Sequence, residues 1–168
     1  MEDAMPATSG APYLAARAVA PADGPGAILE RVAAAWTIRL RAALVPLELT
    51  TAQFRLLTSA AWLSSHQPGI RQSDIADYAG MDAVMTSEVL RTLETRGLIT
   101  RVDHPTDRRA KAISVTETGC TLADRALRLI AVVEARFFEE GLEEFGALGK
   151  ALRKGGRGTT TPKKRRRR

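Results

Sequence analysis

Apolar residues recur every four positions from Ile28 through Val32 and Trp36 to Leu40, with Glu30, Arg31, Arg39 and Arg41 off that line. A four-residue spacing drifts slowly around a 3.6-residue helix and draws one apolar stripe, so a first helix is predicted from about Gly26. At "LTTAQF", residues 49 to 54, Thr50 can accept from the Gln53 amide, Gln53 can reach back, and Leu49 can clamp Phe54. That capping box with its hydrophobic staple starts a second helix, predicted to run to about Ser64 and stop near "HQPG". From Ile70 the pattern shortens: "RQSDIADYAG" predicts a two-turn helix with Ile75, Ala76 and Ala79 inward and Gly80 as its stop. "MDAVMTSEVLRTLETRG" predicts another, capped by Asp82 and ended by Gly97. The period then switches to 2 in "LITRV" and "KAISV", which alternate around "DHPTDRRA" and predict a hairpin. Thr116 caps a long helix whose stripe is Leu122, Ala126, Leu129, Ile130, Val133 and Phe137; Gly141 breaks it, and a short helix with Phe145, Leu148 and Leu152 on one side follows.

Two short helices joined by a tight turn, then a hairpin, then a long helix are the parts of a winged helix-turn-helix. The expected fold is mainly α with a small β wing, flanked by outer helices whose apolar stripes a small winged body cannot cover alone. Residues 1–25, rich in Ala, Pro and Gly without a period, are predicted to be a disordered arm; residues 26–154 form the winged domain with its outer helices, and 155–168 a disordered basic tail. In the helix over 82 to 96, Thr86, Val89, Leu90 and Leu93 make one apolar stripe and leave Val84, Ser87, Glu88, Arg91 and Thr95 on the opposite face. That face is either merely solvated or reads bases: Arg91 suits a guanine or a phosphate, Glu88 a cytosine amino group, Val84 a thymine methyl.

Charge sharpens this only in part. The chain carries +6, but its last fourteen residues hold seven cations and no acid, which leaves residues 1–154 at −1. Binding of double-stranded DNA by the folded body therefore has to come from placed residues, with the tail as a phosphate-binding arm of no sequence preference. A rival reading makes the whole chain a sequence-tolerant architectural DNA binder driven by that tail.

"LTTAQFRLL", "SDIADYAGMD", "VLRTLETRGLITR" and "DHPTDRRAKAISVTETG" resemble, in order and spacing, the successive signatures of the MarR family of regulators. The resemblance spans about residues 27 to 152, and Asp-Arg-Arg-Ala followed by a strand and Thr-x-x-Gly is its most specific piece. It implies a homodimer on a pseudo-palindromic operator, usually a repressor released by a small ligand or by oxidation. It also implies that Arg109 at the wing tip contacts the minor groove or a phosphate with Asp107 as its brace; Arg108, Arg101 and Lys111 are further candidates. The family often binds aromatic acids in a cleft beside the winged domain, which makes Trp36, Trp62 and Tyr78 candidates for a small aromatic or phenolic effector. Core packing is the plainer use of the same three side chains.

The remaining chemistry is thin. Cys120 is the one cysteine and His66 and His104 the only histidines, both read as solvated loop residues, so no metal, cofactor or catalytic centre is expected. A Cys120 enzyme lacks a nearby base, and the family's peroxide sensors carry their cysteine near the first helix, where this chain has none. No stretch approaches the roughly 20 apolar residues of a membrane span, and the N-terminus lacks the pattern of a secretion signal; the expected location is the cytoplasm, at the nucleoid.

Overall fold

The computed structural model describes residues 24–67, 69–104, 111–139 and 145–150. The elements run α1 (Pro25–Leu44), a 3-10 turn (Val45–Leu47), α2 (Thr51–His66), β1 (Ile70–Arg71), α3 (Gln72–Ala79), α4 (Ala83–Thr95), β2 (Ile99–Asp103), β3 (Lys111–Val115) and α5 (Glu117–Phe137). Residues 145–150 are helical as well. The chain divides into two compact units, Met1–Arg39 and Leu40–Arg168. In the first, α1 leaves Ile28, Leu29 and Ile38 exposed and half-buries Val32 and Trp36.

The second unit is built on local signals that the backbone obeys. Thr50 Oγ1 accepts from the Gln53 amide at 3.1 Å and Gln53 Oε1 accepts from the Thr50 amide at 2.9 Å, the reciprocal cap that starts α2. Asp82 accepts from the Met85 amide at 2.9 Å to start α4. Gly97, with φ +68°, makes the left-handed step that turns α4 into β2, a conformation that side chains with a Cβ avoid. Leu56, Leu57, Ile75, Leu90, Leu93, Ile99 and Ile113 meet in one core, and each such side chain contributes about 2 kcal/mol of transfer free energy.

The sheet differs from the predicted hairpin. Ile70–Arg71 is a strand rather than the start of α3, and it pairs antiparallel with β3 in the register Ile70↔Ile113 and Arg71↔Ala112, giving the order β1-β3-β2. The turn of α3 begins only at Gln72, where Asp74 Oδ2 accepts from the Arg71 amide at 2.8 Å. Nor does "KAISV" alternate: Ala112 and Ile113 are both buried. As the central strand, β3 lies against α2 and α3 and so buries neighbours that an edge strand would expose.

Thr116 does two things at the root of α5. Its hydroxyl accepts from the Gly119 amide at 3.0 Å and donates to the Gly97 carbonyl at 2.7 Å, while its amide donates to the Leu98 carbonyl at 3.1 Å. Gly119 packs so closely that a Cβ there would stand 2.0 Å from the Leu98 oxygen. The stripe predicted for α5 buries Ala126 and Ile130 and half-buries Leu122, Leu129, Val133 and Phe137. Gly141 and Leu152 lie outside the described residues, as do residues 1–23 of the predicted arm 1–25 and the tail, while Pro25, placed in that arm, opens α1.

Candidate nucleic-acid interface

The rotation of α4 follows from what its core side must bury. Thr86, Leu90 and Leu93 are fully enclosed, which turns Val84, Glu88, Arg91 and Thr95 to solvent and leaves Ser87 half-buried. Val84 is 72% exposed in the first turn, where an apolar side chain gains nothing from water. Met85 beside it is exposed too, and the sequence pattern had not singled it out. The Arg91 guanidinium has no partner among the described residues, so all five of its donors face outward unspent. The outer face of α4 thus carries a methyl-bearing end, a carboxylate and a fork of donors along about two turns, matched in kind to thymine, cytosine and guanine edges.

Other elements hold this helix firmly. Arg55 of α2 donates to the Ala79 carbonyl at 2.6 Å and closes the end of α3 just before the turn into α4. Arg96 donates to the Glu48 carbonyl at 2.8 Å and to Gln53 Oε1 at 3.4 Å, which ties the far end of α4 to the start of α2. Both arginines are structural ties between segments distant in sequence, and no local pattern marks them.

At the wing, β2 and β3 pair from Ile99↔Val115 to Asp103↔Lys111. Arg101 is half-buried and donates to Gln72 Oε1 at 3.3 Å, so its guanidinium is held against the first residue of α3. Lys111 Nζ stands 2.6 Å from Asp103 Oδ1 with both side chains exposed, a pair worth at most about 1 kcal/mol in water and readily exchanged for a phosphate. Asp107, Arg108 and Arg109 lie outside the described residues.

The aromatic candidates do not form a core. Trp62 and Tyr78 are 53% and 55% exposed on α2 and α3, and Trp36 is half-buried in the other unit. The packing use is overturned for Trp62 and Tyr78. Trp62 lies along its own helix, its ring 4.0 Å from that of His66. His66 is not a loop residue but the last of α2, its Nδ1 2.7 Å from the Trp62 carbonyl, whereas His104 follows β2 in a loop as expected, its Nε2 3.1 Å from the Gly69 carbonyl. Cys120 is exposed in the first turn of α5. Among the described residues no helix is long and apolar enough to cross a membrane.

The family model for the MarR family matches residues 49–111, from the cap of α2 to the first residue of β3. The chain is 32% identical over 124 residues to YdcH of Bacillus subtilis (strain 168), an uncharacterized HTH-type transcriptional regulator, covering 74% of this chain and 84% of that one. It is 32% identical over 111 residues to the HTH-type transcriptional repressor Rv2887 of Mycobacterium tuberculosis, covering 66% of this chain and 77% of the relative. Among solved structures it is similar to the transcriptional repressor CouR bound to a 23-mer DNA duplex, with a TM-score of 0.70 and 30% identity over 81% of this chain and 94% of that one. CouR from Rhodococcus jostii RHA1 bound to p-coumaroyl-CoA aligns with a TM-score of 0.70 and 28% identity over 86% and 99% of the two chains. With its winged body built on the segment that the family model matches, and with regulators of this identity and coverage as relatives, the chain belongs to the MarR family of transcriptional regulators.

Proposed function

We propose that this regulator is a homodimeric repressor that reads a pseudo-palindromic operator with α4 and is released by a small organic effector. The observation that carries the reading is the outer face of α4, where Val84, Glu88 and Arg91 stand exposed on a helix whose opposite side is locked into the core. Ser87 sits at the margin of that face. Arg101 and Lys111 at the wing root take phosphates, and Arg109, braced by Asp107 and flanked by Arg108, takes the neighbouring minor groove; arginine suits the negative potential of a narrow groove. Pairing is supported by apolar side chains left exposed on α1 (Ile28, Leu29, Ile38) and on α5 (Leu127, Val132), which a second copy would cover. Repression and duplex binding are supported by CouR, a repressor solved on DNA, and effector release by the same protein bound to p-coumaroyl-CoA. Trp62 and Tyr78, exposed on one unit, remain the aromatic contacts proposed for an effector.

Two-fold symmetry sets two α4 helices one duplex turn apart, roughly 34 Å, and the half-sites about 10 base pairs apart. Footprinting on the intergenic DNA beside the gene, with sedimentation of the same sample, tests it: two protected half-sites and a dimer are expected. A monomer protecting a single half-site overturns the reading.

A further inference from the structure

The first turn of α4 presents three apolar side chains in a row to solvent. Ala83, Val84 and Met85 are all exposed, Val84 at 72% and Met85 at 47%, although Thr86 directly after them is fully enclosed. Valine there is a poorer helix former than alanine and buries little in return, so the free protein gains no stability from it. The same turn offers an anion no grip. The Asp82 carboxylate caps it, accepting from the Met85 amide at 2.9 Å, and so sets a negative charge where a phosphate would otherwise sit. Further along, the Thr92 and Thr95 hydroxyls donate to the Glu88 and Arg91 carbonyls at 3.2 and 3.0 Å, which leaves Arg91 as the one exposed side chain of α4 with donors to spare. The exposed face of α4 is therefore apolar at its start and hydrogen-bonding from Glu88 onward.

In a helix-turn-helix the N-terminal residues of the second helix are those that reach base edges. An end without a strong donor or acceptor is blind to the hydrogen-bonding pattern of the groove floor. The one apolar group on that floor is the C5 methyl of thymine. We infer that Ala83, Val84 and Met85 together read thymine methyls, so that each operator half-site carries, under the start of α4, an A·T pair selected by its methyl group and by no hydrogen bond. This use of α4 rests on the operator reading proposed above and narrows it: Val84 acts with Met85 and Ala83, and the base at that end is fixed as thymine. A guanine there would leave its O6 and N7 acceptors against hydrocarbon, and a cytosine its amino donor, each stripped of water and unpaired.

Selection of duplexes from a random library by the full chain yields the half-site, and a uracil scan of that site tests the methyl contact. Uracil keeps the pairing of thymine and removes the methyl alone. At one or two thymines per half-site, uracil is expected to weaken binding about fourfold, the transfer free energy of one buried methyl group, and about fifteenfold when both half-sites carry it. At the same positions 5-methylcytosine should bind more tightly than cytosine, because the methyl returns. In the double variant Val84→Ala, Met85→Ala the uracil penalty should fall below about twofold, with folding preserved because alanine is the better helix former at exposed positions. Selected sites in which no uracil matters, or an undiminished penalty in the double variant, would overturn the inference and leave the operator reading standing. A library from which no sequence is enriched overturns the operator reading, and this use of α4 with it.

Discussion

Thr86 puts a hydroxyl inside the core side of α4, fully enclosed and without a hydrogen-bond partner among the described residues. A buried polar group left unmatched costs about 1 to 3 kcal/mol, and valine has the same shape without the oxygen. Thr86→Val is therefore expected to raise unfolding stability by about 1 kcal/mol in urea titrations, with the outer face of the helix untouched. At the proposed interface, Arg91→Ala and Arg109→Ala should each weaken operator binding by about 1 to 3 kcal/mol, and thermal unfolding of the Arg91 variant should stay unchanged because that side chain is exposed. Fluorescence anisotropy at fixed salt reads the first effect and calorimetry the second. Operator affinity unaltered by both would remove α4 and the wing from recognition.

At the scale of elements, the two threonine caps differ in reach. Thr50 serves only its own helix start, whereas Thr116 caps α5 and also holds the Gly97 carbonyl at the end of α4. Thr50→Ala should cost about 1 kcal/mol, and Thr116→Ala about 2 kcal/mol because a second hydrogen bond goes with the cap. Unfolding of the two variants under the same conditions makes the comparison, and equal losses would mean that the tie to Gly97 carries no net stability. The caps, the stripe of α4 and the pairing of β2 with β3 were legible in the sequence because each is a relation between residues a few positions apart or across one hairpin. β1 was not: two residues have no period, and Ile70 becomes a strand only through Ile113, far along the chain. Arg55 on Ala79, Arg96 on Glu48 and His104 on Gly69 are hidden for the same reason. Trp62 misled differently, since aromatic size argues for burial, yet the ring settles on His66 one turn along its own helix. Of the candidate site, the face of α4 could be read from helical period alone, while the arginine ties that hold that helix needed distant segments brought together.

For the whole molecule, the charge distribution separates affinity from discrimination. Residues 155–168 hold seven cations and the rest of the chain sums to −1. Removing the tail should lower affinity for operator and random duplex by a similar factor and flatten the salt dependence, because each phosphate contact contributes a slope of about 0.9 through counterion release. The ratio of operator to random binding should hold nearly constant, as the groups able to read base edges survive the deletion. Titrations of full-length and truncated chain at several salt concentrations check this; loss of discrimination with random-duplex affinity intact would make the tail a specificity element. The third strand has its own effect on how the regulator breathes. With β1 on one side and β2 on the other, β3 is the interior strand, so the wing is clamped at its base on both flanks. In heavy water the Ala112 and Ile113 amides will exchange among the slowest in the protein, at rates set by global unfolding, while those on the open side of β2 exchange through local opening. The wing root then behaves as part of the core's last structure to melt, a fixed stock from which any contact at the tip is swung.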